Sequence, residues 1–300
     1  MKRFIVLAGR QPRGDYLRIC SQAMPKISDG RAITMWASAQ KHTAALMQRQ
    51  AAEADGAQVL KMPRRYAKFA ERLYSEYLSS TAFSGIKTRL GMVELDKLVV
   101  FQHAIDLDHI KFLSRANCGH LTEQDATRIA LSPGAPPHAA VSQNSPTLFT
   151  FSAPSRDFRC LDRKLVEAKN VEGVDFFGRP VYYIITALGY SANAMLVINI
   201  NSRIILMNGY HRAYFLKKHG FTRSAAVILD VQAQDEAFAS ILQGTADLER
   251  NPRRYIHDPR PPMLKDYFDS KLITKIFYPN ECWITRLRFE TETFNAPAAL

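Results

Sequence analysis

The sequence has few cysteines, and none of them belongs to a motif. The four cysteines lie far apart in the chain, at Cys20, Cys118, Cys160 and Cys282. They make no C-x-x-C pair and no cysteine–histidine cluster at the spacing of zinc ligands. Cysteines this sparse are typical of proteins of the reducing cytosol. We therefore expect a cytoplasmic protein, and we predict no metal site.

Long apolar runs are also missing. Residues 4–8 are apolar and follow a basic start, but this run is too short for the core of a signal peptide and no small-residue cleavage site follows it. No stretch approaches the roughly 18 apolar residues of a membrane span. With 47% hydrophobic and 23% charged residues, the composition is that of an ordinary globular protein. We expect no membrane partner.

Acidic residues are outnumbered by basic ones. The chain has 40 lysines and arginines against 28 aspartates and glutamates, a formal net charge of +12. Such a charge raises the local concentration of polyanions around the molecule. Nucleotides and nucleic acids therefore become candidate partners, although many basic proteins carry their charge only for solubility.

The order of the sequence patterns indicates an α+β protein with three regions. Its 300 residues exceed the usual size of one domain. We predict an N-terminal strand and helical region at 1–90, a mixed sheet with helices at 91–247, and a C-terminal extension at 248–300. The extension begins with a charged, proline-rich stretch, which is compatible with an ordered wrap and with partial disorder.

The N-terminal region is predicted to be mostly helical. A buried strand at 4–8 leads into a basic segment at 9–14, which fits a solvated turn better than a phosphate-binding loop. Residues 32–54 and 63–80 are predicted to form two amphipathic helices. Each helix has an apolar face that needs cover, so we expect the two to pack together.

The second region alternates between short strands and helices. Strands are predicted at 93–100, 181–187, 194–200, 203–207 and 225–231. A helix is predicted at 121–131, begun by Thr122 and Asp125 as a capping box, and another at 235–242. Asn201 and Ser202 are expected to form a hairpin turn. Outside these elements we predict an exposed loop at 133–146 and a last strand at 283–289.

Groups suited to anion binding are concentrated in one turn of this region. After the strand at 203–207 the chain continues with Asn208, Gly209, Tyr210, His211 and Arg212. These residues are predicted to open a helix that ends near a glycine cap. The amides and the positive end of a helix attract anions, and the imidazole and guanidinium bring two further donors. The alternative is a structural turn whose side chains pair with local carboxylates.

The turn and its surroundings resemble the ParB/sulfiredoxin superfamily. The run 204–212, with Leu216 and Gly220 after it, is similar to the second conserved box of that fold. The box reads Gly-Glu-Arg-Arg in ParB, Gly-Cys-His-Arg in sulfiredoxin and Asp-Gly-His-His-Arg in related free-serine kinases. Residues 95–98 resemble the opening strand, and residues 230–242 the strand and helix after the box. The resemblance spans residues 91–251 and implies a ParB/sulfiredoxin-like mixed sheet, with the N-terminal helices as an addition.

Departures from the family patterns restrict what the resemblance implies. Tyr210 stands where sulfiredoxin has its reactive cysteine, so thiol chemistry is not expected. Gln243 and Gly244 stand where ParB has the Glu-Asn pair that acts in nucleotide turnover, so the resemblance does not support ParB-type nucleotide hydrolysis. Gln102 and His103 follow the opening strand where the first ParB box would lie. We predict that they contact the same ligand, and the alternative is a buried or capping histidine.

Three hypotheses of function follow. The first is a ParB-like nucleotide- or nucleic-acid-binding protein, in a DNA-related role, that holds the anion at residues 208–212, with Gln102 and His103. The second is a phosphate-handling enzyme, a kinase or nuclease, with His211 as catalytic acid or base and Arg212 on the transferred group. The third is a fold that has lost its ligand. The cofactor is unknown; a nucleotide with or without magnesium fits the first two hypotheses, and a homodimer is compatible with all three.

Overall fold

The part of the chain that the computed structural model describes is an α+β protein. It comprises residues 1–78, 88–117, 119–131, 138–153, 158–167, 182–190, 194–231, 252–279 and 283–290. Its α-helices are Arg13–Ser21 (α1), Asp29–Arg49 (α2), Arg64–Leu78 (α3), Leu107–Ala116 (α4), Glu123–Leu131 (α5), Tyr210–Lys218 (α6) and Pro252–Ile256 (α7). Its strands are Lys2–Leu7 (β1), Val59–Leu60 (β2), Thr88–Glu94 (β3), Val99–Val100 (β4), Ala104–Asp106 (β5), Ala140–Ser145 (β6), Leu148–Ala153 (β7), Phe158–Glu167 (β8), Tyr182–Tyr190 (β9), Leu196–Ile200 (β10), Arg203–Asn208 (β11), Arg223–Asp230 (β12), Ile273–Tyr278 (β13) and Trp283–Arg288 (β14).

The chain forms two compact units, each made of stretches that are distant in sequence. Unit 1 comprises Met1–Gly134 and Ala192–Asn280, and unit 2 comprises Ala135–Ser191 and Glu281–Leu300. The C-terminal stretch thus contributes to both units, which local patterns could not indicate because long-range contacts decide the grouping. The three regions expected from the sequence stay a prediction.

A six-stranded mixed sheet forms the centre of unit 1. Its strand order is β2-β3-β12-β10-β11-β4. β10 pairs antiparallel with β11 and parallel with β12, while β11 runs parallel to β4. The inner strands are almost continuously apolar and buried, as strands covered on both faces are. The strands predicted at 194–200, 203–207 and 225–231 are therefore confirmed.

Two local turns predicted from the sequence are also confirmed. Asn201 and Ser202 join β10 to β11 with φ angles of 49° and 62°, the two positive values that a tight type I′ hairpin requires. At the start of α5, the Asp125 amide donates to Thr122 Oγ1 and the Thr122 amide donates to Asp125 Oδ2, both at 3.1 Å. This reciprocal pair is a capping box.

A three-stranded sheet, β13-β1-β5, carries the N-terminal helices on a smaller apolar cluster. The helices predicted at 32–54 and 63–80 exist as α2 and α3, but α2 already ends at Arg49. They do not form a pair. α2 packs against α1 and the 3-10 helix Ala8–Arg10, whereas α3 packs against α5 and β3. The expectation that they pack together was wrong because each apolar face is covered by different elements, α1 and the 3-10 helix for α2, and α5 and β3 for α3.

Two segments differ from their predicted structure within the N-terminal half. The strand predicted at 93–100 is interrupted by the 3-10 helix Leu95–Lys97. Leu95 and Leu98 are both fully buried, and the three-residue period of a 3-10 turn places them on one side. The turn predicted at 9–14 instead contains the start of α1, where Gly14 lies inside the helix.

Unit 2 contains two antiparallel sheets among its described residues. One has the order β14-β7-β6 and the other pairs β8 with β9. β9 and β14 confirm the strands predicted at 181–187 and 283–289. Part of the loop predicted at 133–146 is the strand β6, whose side chains are mostly exposed and so leave no apolar pattern. The rest of that loop up to residue 137 and the helix predicted at 235–242 lie outside the described residues.

The segment after α7, which is part of unit 1, contains a buried ion pair. Arg260 and Asp266 are each only 1% exposed, and the guanidinium bonds both carboxylate oxygens, at 2.9 and 2.5 Å. The Leu264 amide donates to the Leu98 carbonyl at 2.9 Å. These contacts fix the 3-10 helix Leu264–Phe268 against the sheet. In the described chain, no helix combines the length and the apolar composition needed to cross a membrane.

Candidate functional site

The turn between β11 and α6 has the backbone that the sequence predicted. Gly209 is the N-cap of α6, with φ 91° and ψ 21°. A Cβ at this position would lie 2.9 Å from Met195 Cγ and 3.0 Å from Met195 Cα. The Gly209 amide donates to the Asn208 side-chain oxygen at 2.7 Å. Both the left-handed conformation and the close approach to Met195 therefore require glycine.

Tyr210 faces the core rather than the space beyond the turn. Its side chain is 4% exposed and its ring meets Phe101 edge-on, with centroids 5.5 Å apart. The hydroxyl donates to the Leu206 carbonyl. Burial raises the pKa of Tyr210 well above its ordinary value. A ligand at the turn could therefore meet the backbone of Tyr210 but not its hydroxyl.

His211 is held as a neutral imidazole. Its Nε2 accepts a hydrogen bond from the Asp106 amide at 3.0 Å, which places the ring proton on Nδ1. Burial, followed by the charges of its basic neighbours His109, Arg212 and Lys2, lowers the pKa of His211 to about 3. The imidazole is thus uncharged at neutral pH, and its one lone pair is already engaged. His211 stays a predicted catalytic residue, but these contacts do not favour proton transfer.

Arg212 is half-buried and connects two helices. Its Nη1 donates to the Ala130 carbonyl at 3.1 Å, in the last turn of α5. A guanidinium at the carbonyl end of a helix also interacts favourably with the helix dipole. Arg212 therefore lies in the first turn of α6, where an anion would bind, and also makes a structural contact with α5.

The segment after β4 runs beside the turn. Because β4 and β11 are parallel, with Val99 opposite Ile205, both strands end at the same edge of the sheet. The Phe101 amide lies 3.5 Å from the Tyr210 hydroxyl. Gln102 donates through Nε2 to the Ala104 carbonyl at 2.7 Å, and so stabilises its own loop.

His103 lies in a different environment from His211. The Arg254 guanidinium donates to the Arg10 carbonyl, and both arginines act on His103. Burial, then the charge of Arg254, lowers the pKa of His103 to about 4 despite the opposing effect of Asp15. Its Nδ1 is buried without a hydrogen-bond partner. The structure thus places His103 in an arginine cluster with Arg10 and Arg254.

The acidic pair near the turn is engaged in local structure. Asp106 is the N-cap of α4 and accepts from the Asp108 and His109 amides at 2.8 and 3.2 Å. Asp108 forms a two-point ion pair with Arg3. In the residues that the structure describes, no three His, Cys, Asp or Glu side chains are grouped so that they could hold a metal ion.

Sequence patterns identified the turn but not the groups that contact it. Asp106 and Ala130 lie 105 and 82 residues before His211 and Arg212, the residues that they contact, and His109 packs on His211 from the same distant segment. Only Asp106 could have been predicted from the sequence as an N-cap, because an aspartate before an amphipathic run is a common helix start.

No model of a known protein family, no curated protein and no solved structure matches the chain.

Proposed function

We propose that the protein binds a nucleotide or a nucleic acid through a phosphate held at the turn 208–212, on a ParB/sulfiredoxin-like domain within unit 1. The observation that carries the proposal is the start of α6. Gly209, as N-cap, has no side chain that could accept from the first amides of the helix. Those amides have no carbonyl within the helix to bond to, so the positive helix end favours an anion there.

Basic side chains around the turn support the same ligand class. Lys2, His109 and Arg212 all lie close enough to His211 to affect its ionisation. The net charge of +12 adds a long-range attraction for polyanions. The order of β11, Gly209 and α6 along the chain supports the ParB-like proposal, and so does the segment after β4, which runs beside the turn 208–212.

Binding is favoured over catalysis by the state of His211. A general acid or base works best when its pKa lies near the working pH. The pKa of His211 is about 3 and its Nε2 already accepts from Asp106. We therefore propose a binding role for the turn, in which the neutral imidazole orients the backbone.

A thermal-shift screen of the full chain tests the proposal. ATP, CTP and inorganic phosphate would each be added with and without magnesium chloride. A ligand at about a hundred times its dissociation constant should stabilise the protein by about 2.7 kcal/mol. If none of these raises the melting temperature and a short DNA duplex also fails to do so, the proposed function is wrong.

The variant Arg212→Lys then tests the place of binding. Lysine keeps the charge but lacks the planar fork, so we expect the affinity for the stabilising nucleotide to fall at least about tenfold. Arg18→Lys is the matched control, because Arg18 is an exposed helical arginine paired with Asp15. The melting temperature of Arg212→Lys without ligand shows separately how much stability is lost with the hydrogen bond from Arg212 to the Ala130 carbonyl. Equal affinities of the two variants would place the ligand elsewhere.

A further inference from the structure

An open cleft of about 440 Å³ lies at the other end of α6, in unit 1. It is bordered by α2, by the last turn of α6 and by the 3-10 helix Leu264–Phe268. Its size is within the usual range of small-ligand sites. None of the residues predicted from the sequence to bind a ligand belongs to its lining.

An exposed aromatic side chain forms one wall of the cleft. Phe268 is 40% exposed, although the stretch of chain before it is well buried. Its ring stacks on Tyr214 with centroids 4.6 Å apart and planes 17° apart. Tyr214 itself is buried on α6, so the stack is fixed from below. A ring that is held rigidly and left open is suited to stacking with a second flat group.

Two lysines border the cleft, and one of them lies over this ring. Lys217 Nζ lies 5.3 Å from the centre of the Phe268 ring, and Lys265 lines the same cleft. Their present partners are the carboxylates of Asp96 and Glu53, which are 55% and 38% exposed. The lysine side chains themselves are each 19% exposed, and an anionic ligand would replace these carboxylates as the partner of both ammonium groups.

The remaining charged groups of the lining have partners within the protein. Arg260 and Asp266 form the buried two-point pair described above. Asp269 accepts from His42 Nε2 at 2.7 Å, and, although burial opposes it, this bond lowers the pKa of the carboxyl, which stays ionised. The cleft therefore offers a partly exposed aromatic ring and two lysines, the combination by which proteins hold an unpaired base and its phosphate.

We propose that this cleft binds an aromatic base joined to a phosphate, with the base on Phe268 and the phosphate near Lys217 and Lys265. The ligand is either a free nucleotide or an unpaired nucleotide of a single strand. The site is separate from the turn 208–212, and neither needs the other in order to bind.

Calorimetric titration of the full chain with two small ligands tests the role of the ring. AMP carries both base and phosphate, whereas ribose 5-phosphate lacks the base. Phe268→Leu should lower the affinity for AMP about tenfold and leave that for ribose 5-phosphate unchanged, because only stacking is removed. Phe268→Trp should retain AMP binding. Phe277→Leu is the matched control, since Phe277 is also 40% exposed but lies on β13.

The lysines and the source of the ligand are tested in the same way. Lys217→Gln and Lys265→Gln should weaken both AMP and ribose 5-phosphate, because they remove charge rather than stacking. A short oligothymidine that binds more tightly than AMP, and loses affinity in Phe268→Leu, would identify a single strand as the ligand. Equal AMP and oligothymidine affinities of Phe268→Leu and Phe277→Leu would overturn the inference, as would the failure of both ligands to bind.

The two proposals fail in different ways. Loss of AMP affinity in Phe268→Leu would support the cleft whatever Arg212→Lys does. Loss of affinity for the nucleotide that stabilises the protein in Arg212→Lys, but not in Phe268→Leu, would support the turn, so the failure of one proposal leaves the other standing.

Discussion

The two ends of α6 differ although both carry a glycine in the left-handed conformation. Gly209 has φ 91° and Gly220 has φ 85°. A Cβ at Gly209 would meet Met195 at 2.9 Å, whereas one at Gly220 would meet nothing within 4 Å. At the first end the backbone is packed against β10, and at the second only the backbone angle requires glycine. The same residue type is thus needed for two reasons at one end and for one reason at the other.

This difference extends to the two proposed sites. At the start of α6 the anion would be held by backbone amides that the fold fixes, so substitutions there change stability and binding together. In the cleft at its end the ligand would be held by the side chains of Phe268, Lys217 and Lys265, which can be exchanged with little effect on folding. The free energy of unfolding should therefore change more for substitutions at the start of α6 than for those at its end. Ligand affinity should show which of the two sites a substitution affects.

The largest effect is expected for Gly209→Ala. The left-handed conformation costs an ordinary residue about 1–2 kcal/mol, and overpacking against Met195 adds about 1–3 kcal/mol. We expect the free energy of unfolding, measured with urea, to fall by about 2–5 kcal/mol. Gly30→Ala on α2 is the control, since a Cβ there meets nothing within 4 Å and its φ is not positive. A loss below about 1 kcal/mol for Gly209→Ala would mean that the start of α6 is not packed as described.

The structure around α6 was predictable where the signal was local. Gly209 and Gly220 bracket a helical run, and the residues before Asn208 favour a strand, so the strand, turn and helix followed from the sequence. The environment of His211 did not follow, because Asp106 is 105 residues away and no local pattern records that contact. The imidazole of His211, predicted from the sequence to be a donor to an anion, is therefore found neutral, with its Nε2 accepting from Asp106.

The same reason explains the segments that were predicted wrongly. Leu95 and Leu98 fit an apolar strand by composition, and only their burial on one side distinguishes a 3-10 turn. The cleft was missed because Phe268 and Lys217 are far apart in the chain and meet only after folding. A single exposed aromatic residue produces no periodic sequence pattern, so the sequence does not show which residues will surround it in the folded protein.

An intermediate effect is expected from the pH dependence of stability at His211. Its pKa in the folded protein, about 3, lies below its ordinary value of 6.5. Above pH 6.5 both the folded and the unfolded forms are neutral. As the pH falls below 6.5 the unfolded form takes up the proton first, so stability decreases by up to about 1.4 kcal/mol per pH unit.

The variant His211→Gln measures this contribution. Glutamine retains an acceptor for the Asp106 amide but does not titrate. Between pH 7 and pH 5 the wild-type protein should therefore lose about 2 kcal/mol more stability than the variant in urea unfolding. Parallel pH profiles of wild type and His211→Gln would show that the imidazole is not buried as a neutral group.

The smallest effect is expected for Gly220→Ala, and it completes the comparison of the two ends. The Gly220 amide donates to the Lys217 carbonyl at 3.0 Å and the Phe221 amide to the Leu216 carbonyl at 3.1 Å, which is a Schellman motif. Alanine must adopt the same left-handed angle but meets no neighbour, so we expect a loss of about 1–2 kcal/mol in urea unfolding. Gly220→Asn should lose less, because asparagine tolerates this conformation better. If Gly220→Ala were as destabilising as Gly209→Ala, contacts with Met195 would add nothing at the first end, and backbone angle alone would explain both glycines.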